Sequence, residues 1–128
     1  MRVLLDTSVL LGAEPDLGEA DVAISAISLA ELHFGVLVAR TAEVRAERLR
    51  RLGLIEKTFD ALAVDDAVAR EYGRLAAAVA QAGRQPRARV ADLLIAATAR
   101  THAAELWTRN GDDFIGLEPL ITIRSITA

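Results

Sequence analysis

Near the N-terminus three apolar residues, Val3-Leu4-Leu5, run without polar alternation straight into Asp6-Thr7-Ser8. A strand that is apolar at consecutive positions suits a sheet covered on both faces, as in a parallel sheet packed between helices. Asp6 then stands where the strand ends. In open α/β sheets ligands bind outside the carboxyl ends of the strands, where the winding order reverses. Capping of the following turn would also account for a lone Asp at this place. A length of 128 residues predicts a single domain over residues 1–128, long enough to bury a core of its own.

The rest of the chain alternates β and α patterns. Val9 to Gly12 read as a short helix, and Glu14 to Glu19, with Pro15 and Gly18, as a loop. Asp21 to Ile27 predict a second strand, after which Ser28 opens a helix with Leu29, Leu32 and Val36 on one side. Ser28 and Glu31 form the Ser-x-x-Glu pattern of a capping box, which alone would explain Glu31. Arg40 to Lys57 is a charged helical stretch, either a solvated face or a patch for RNA phosphates or a partner. Phe59 to Val64 predict a third strand. Asp65 then caps a long helix carrying Val68, Tyr72, Leu75, Ala76 and Val79, which Gly83 stops.

A basic connection, Arg84 to Arg89, leads into Val90 to Ala99, a helix apolar enough to be buried, with Asp92 near its N-terminus where the helix dipole favours a carboxylate. Glu105 to Thr108 predict a fourth strand. It runs into the polar turn Arg109-Asn110-Gly111-Asp112-Asp113-Phe114, and Leu120 to Ile123 predict an edge strand. The alternation predicts an α/β domain of three layers, α/β/α, around a central, mainly parallel sheet of about four to five strands.

On that plan four acidic features follow strands or open a helix at one edge of the sheet: Asp6, Glu31, Asp92 and the pair Asp112/Asp113. Each has a capping explanation singly, but caps occur at either edge of a sheet and these gather at one. The segments that carry them are Leu5-Asp6-Thr7-Ser8-Val9-Leu10, Ile27-Ser28-Leu29-Ala30-Glu31-Leu32, Ala91-Asp92-Leu93-Leu94-Ile95-Ala96-Ala97-Thr98 and Thr108-Arg109-Asn110-Gly111-Asp112-Asp113-Phe114. In that order they resemble the motifs of the PIN domain, and specifically of the VapC-type toxin ribonucleases of bacterial toxin–antitoxin pairs.

The resemblance spans nearly the whole chain. It implies that Asp6, Glu31, Asp92 and Asp113 are the catalytic, metal-binding acids, with Asp112 competing for the fourth place. Thr7, Ser8, Thr108 and Asn110 match its supporting polar positions. It further implies a metal-dependent endoribonuclease leaving a 5′-phosphate and a 3′-hydroxyl, a VapB-like antitoxin whose tail enters the acidic cleft, and a homodimer formed through the early helices. The RNA, whether tRNA, rRNA or mRNA, stays open. Two departures stand out. The span from Asp6 to Glu31 is short, and Arg87 and Arg89 stand where relatives often carry apolar residues. With Arg109 these are the candidates for RNA phosphate contacts.

The chemistry of the residues points the same way. Carboxylates sharing one cleft cannot all stay ionised without a cation. An oxygen donor set, in a chain without Cys and without clustered His, suits Mg²⁺ or Mn²⁺ and not zinc. A net charge of −3 argues against nucleic-acid binding by charge alone. Lys57 is the single Lys among 15 basic residues, so phosphate contacts would fall to Arg. The absence of a signal-like or membrane-spanning apolar run predicts a cytoplasmic protein with no membrane attachment. His33 and His102 lie inside predicted helices and off every motif, which disfavours them as general bases.

Three other readings compete. A phosphoacceptor receiver domain wants an early acidic pair and a late Lys. A haloacid-dehalogenase-type phosphatase wants Asp-x-Asp, where this chain has Ser8. A PIN fold without activity would be a protein-interaction module.

Overall fold

The computed structural model describes residues 1–127. Its strands are β1 (Arg2–Leu5), β2 (Asp21–Ser25), β3 (Asp60–Leu62), β4 (Glu105–Thr108) and β5 (Ile123–Ser125). Its α-helices are α1 (Thr7–Leu10), α2 (Ala26–Leu37), α3 (Ala42–Thr58), α4 (Asp66–Gln81) and α5 (Val90–Thr101). Single 3-10 turns cover Pro86–Arg89 and Gly111–Phe114. Among the described residues the strands form one sheet in the order β3-β2-β1-β4-β5, every pairing parallel. The winding direction reverses between β1 and β4, so the cleft expected at a reversal point lies beyond Leu5 and Thr108.

Consecutive apolar residues in β1 serve both faces. Leu4 joins Val68, Leu75, Val79, Leu93 and Ile95 beneath α4 and α5, whereas Val3 and Leu5 join Val9, Leu32, Val36, Leu52 and Ile55 beneath α1, α2 and α3. In β4, Leu106 and Trp107 divide in the same way. These are the three layers read from the unbroken apolar run. α5 buries Leu93, Ile95, Ala96, Ala97, Thr98 and Ala99, as its composition predicts.

Several boundaries differ from expectation, the first being α1, which covers Thr7–Leu10 rather than Val9 to Gly12. β2 ends at Ser25, and Ser25, not Ser28, caps α2 by accepting the Ile27 N–H at 3.0 Å. Both serines precede apolar runs, and the pairing of Ser25 with Leu62 sets where the strand stops. The third strand shrinks to Asp60–Leu62. The edge strand lies at Ile123–Ser125 rather than Leu120–Ile123. Leu120 and Ile121 donate their N–H groups to Leu117 O at 2.8 and 3.0 Å in a turn that tucks Ile121 into the core, so their apolarity reports burial and not extension. His102 is the C-cap of α5 rather than an interior residue. Among the described residues no helix is long and apolar enough to cross a membrane.

Candidate active site

Sheet register assembles the site. Leu5 pairs with Ile24 on one side and Trp107 on the other, so the residues one step further, Asp6, Ser25 and Thr108, emerge side by side at the carboxyl edge. The Asp6 N–H donates to Trp107 O at 2.9 Å. Its backbone begins α1, yet its side chain caps nothing. Instead Asp6, only 4% exposed, accepts at Oδ2 from Ser8 Oγ at 2.7 Å and from Thr108 Oγ1 at 2.8 Å.

Those hydroxyls are themselves oriented by backbone. The Arg109 N–H donates to Ser8 Oγ and the Asn110 N–H to Thr108 Oγ1, each at 3.0 Å. Each hydroxyl therefore has its own hydrogen free for Asp6. The turn after β4 thus holds the first acid through two serine and threonine relays. Both bonds fall on Oδ2, and Oδ1 receives no protein donor among the described residues.

Glu31 is reached from the other direction. With the cap at Ser25, it sits in the second turn of α2 rather than at a capping box, and its Oε1 accepts from Thr7 Oγ1 at 2.8 Å. Ser28, fully buried, lies 2.8 Å from the same Thr7 oxygen. Since the Thr7 hydrogen goes to Glu31, Ser28 supplies the other. Ser25 and Ser28 are the site residues that sequence reading assigned differently or missed, and the signal for both was the run Ser25-Ala26-Ile27-Ser28 ahead of the helix.

Asp92 opens α5 with its side chain 28% exposed. Burial, first of all, and then the carboxylates of Asp113 and Asp6 push its pKa up to about 6; Arg89 opposes the rise and Glu31 adds to it. Acids from three other parts of the chain therefore bear on Asp92. Asp112 is exposed and is not among the groups that shift Asp92, whereas its neighbour Asp113 is. The geometry separates the two candidates for the fourth place. Asp113 donates its N–H to Asn110 O at 2.9 Å, which fixes the turn around it.

The three candidate arginines part company. Arg87 is exposed. Arg89 Nη1 lies 2.7 Å from Asp113 Oδ1 and 3.7 Å from Asp92 Oδ2. Arg109 turns its guanidinium onto the loop after α1, donating to Ala13 O, with Nε buried and without a partner among the described residues. A Cβ on Gly12 would stand 2.7 Å from that Nε, so the glycine makes room for the arginine. Arg51 binds the same loop at Leu10 O and Gly12 O, at 2.9 and 3.2 Å.

As the side chains stand, no three acids among the described residues close into a chelate. The donor chemistry nonetheless fits a hard divalent ion: oxygen ligands only, a buried carboxylate with an oxygen free of protein donors among the described residues, and a neighbour whose charge is disfavoured by burial and by the acids around it. Beside Glu31 a groove of about 550 Å³ continues from Thr7 past Leu11 and Phe34 to Arg48 and Arg51.

Comparison with known proteins places these features among relatives. Residues 3–117 match the PIN domain. Ribonuclease VapC5 of Mycobacterium tuberculosis is 40% identical over 129 residues, covering 96% of this chain and 93% of the relative. Ribonuclease VapC4 of the same organism is 33% identical over 117 residues, 87% and 88% of the two chains. The crystal structure of VapBC-5, a member of the VapBC family of toxin–antitoxin systems from M. tuberculosis, superposes with a TM-score of 0.84 at 37% identity, over 99% of this chain and 98% of that one. FitAcB from Neisseria gonorrhoeae gives 0.78 at 28% identity, over 96% of each.

Proposed function

The chain belongs to the PIN domain family, and from that premise we propose that it is a metal-dependent endoribonuclease, the toxin of a VapBC-like toxin–antitoxin pair. The observation that carries this reading is the convergence of Asp6, Glu31, Asp92 and Asp113 from four elements, where burial and then the neighbouring carboxylates raise the pKa of Asp92. These four acids would hold the ion. What a bound Mg²⁺ or Mn²⁺ supplies is water activation and charge neutralisation at a phosphodiester.

The residues of the chain do the rest. Ser8 and Thr108 hold Asp6 in one rotamer, Thr7 and Ser28 hold Glu31, and the Asn110 turn sets Asp113. A site so braced presents its oxygens with little reorganisation, which is what orienting a phosphodiester for in-line attack requires. Hydrolysis of RNA in this way needs no 2′-hydroxyl nucleophile and leaves a 5′-phosphate and a 3′-hydroxyl.

The two core layers share a single sheet, which supports reading residues 1–128 as one nuclease domain. A VapB-like antitoxin is the partner. The exposed Leu11, Phe34 and Leu37, at 60%, 65% and 74%, supply an apolar surface for it and for a second copy of the chain, and Leu11 and Phe34 line the groove beside Glu31. Action on RNA of the cell supports a cytoplasmic location.

The test is cleavage of a structured RNA pool in Mg²⁺, in Mn²⁺ and in EDTA, by the wild type and by Asp6→Asn and Asp92→Asn. Cutting that EDTA and both substitutions abolish is the expected result. Cutting that survives both substitutions would mean that the acids are not the nuclease.

A further inference from the structure

Arg89 closes the 3-10 turn Pro86–Arg89 and is the N-cap residue of α5, but its side chain caps nothing. It reaches instead across the acidic cluster to Asp113 at 2.7 Å and Asp92 at 3.7 Å. Among the described residues it is the one cation ion-paired with any of the four acids. The pair is not locked: the side chains of Arg89 and Asp113 stay 37% and 34% exposed, and a long Arg side chain half in water exchanges partners readily.

A guanidinium N–H at hydrogen-bond distance uses a carboxylate lone pair that a bound ion would also need. An Mg²⁺ ion requires its oxygens at roughly 2.0–2.1 Å and in near-octahedral arrangement. Arg89 also brings a positive charge against an incoming dication. Both effects set the arginine and the ion in competition for the same side of the cleft.

We propose that Arg89 is an exchangeable counter-ion of the acidic cluster, holding Asp113 and Asp92 while no metal is bound and giving way when a divalent ion enters. The inference rests on the metal-site reading above. Its consequence is that the chain weakens its own metal affinity through a residue that is not a ligand.

The experiment is titration of Mn²⁺, followed by the electron paramagnetic resonance signal of the free ion, with no RNA present. Wild type, Arg89→Gln, Arg87→Gln and Asp92→Asn are compared. Arg89→Gln should tighten Mn²⁺ binding by roughly two- to fivefold, the upper range expected for releasing one partly exposed pair. Arg87→Gln removes the same charge from the same turn, where the side chain is exposed and no ion pair with the acids is formed, and screening should hold its effect below about twofold.

Unchanged or weaker binding in Arg89→Gln overturns the proposal, as does equal tightening in Arg87→Gln. Asp92→Asn tells the two readings apart. If it binds Mn²⁺ as the wild type does, the metal site itself is wrong; if it loses the ion while Arg89→Gln matches the wild type, the counter-ion alone is wrong. On the unmutated protein, the side-chain nitrogen resonances of Arg89 should shift on addition of Mg²⁺. No shift at saturation would equally sink the displacement.

Discussion

Asp92 bears the electrostatic strain of the cluster. An Asp in an unfolded chain ionises near pH ~3.9, whereas burial and then the Asp113 and Asp6 carboxylates hold Asp92 at about 6 in the folded protein. Between those values the folded state keeps a proton that the unfolded state has released. The metal-free protein therefore loses stability as pH rises from about 4 to about 6 and does not regain it at neutral pH. Asp92→Asn removes the charge and keeps the shape. It should stabilise the metal-free protein by about 1–3 kcal/mol at neutral pH, the upper end being the full shift and the lower end its screening by solvent at the partly exposed side chain, with the gain gone near pH 4, while destroying metal binding. Urea midpoints at the two pH values decide it, and a variant no more stable at neutral pH than the wild type would refute the assignment. Metal binding by the wild type should weaken below pH 6 for the same reason, since the ion and the proton compete for one carboxylate.

The helix starts determine which acids reach the cleft. Ser25 caps α2 through Ile27, and Asp65 caps α4 by accepting the Val68 N–H at 3.0 Å. Either cap removed should cost about 1 kcal/mol. The two differ in what the helix carries. α4 supplies core residues Val68, Leu75 and Val79, so Asp65→Ala should lower stability and leave Mn²⁺ affinity unchanged. α2 carries Ser28 and Glu31, and Ser25 is fully buried. Ser25→Ala should lower both stability and affinity, the latter roughly tenfold as for loss of a residue that orients a ligand. Denaturation and Mn²⁺ titration on the pair test this; loss of stability alone in both would cut the link between the α2 cap and the site.

Across the whole molecule the sheet joins two apolar layers. Leu4 belongs to the layer beneath α4 and α5, and Trp107, the single Trp, to the layer beneath α1, α2 and α3. Leu4→Ala should destabilise the protein by about 2–5 kcal/mol, a large share of the roughly 5–15 kcal/mol that holds a domain together. If the layers are one cooperative unit, Trp107 fluorescence should report the loss at the same denaturant concentration as far-ultraviolet circular dichroism. A Trp107 transition that stays at the wild-type midpoint would show the layers unfolding separately.

Local chemistry was legible where it is decided locally. The unbroken run Val3-Leu4-Leu5 announced a strand covered on both faces, the composition of Val90 to Ala99 announced a buried helix, and Asp65 announced a cap. Asp6, Glu31, Asp92 and the pair Asp112/Asp113 stood out at expected strand ends and helix starts, and the resemblance to the PIN motifs, not periodicity, set them together. What periodicity could not settle was decided by pairing across the chain. Ser25 and not Ser28 begins α2, because β3 fixes where β2 ends. Leu120, half-buried, and Ile121, buried, lie in a turn and are not extended. Asp113 rather than Asp112 joins the cluster, because the 3-10 turn directs adjacent side chains differently. The bonds Thr108 to Asp6, Thr7 to Glu31 and Arg89 to Asp113 join residues 102, 24 and 24 positions apart. One-dimensional spacing determines which face of its own element a side chain takes, but only the register of a folded sheet determines which distant side chain it meets there.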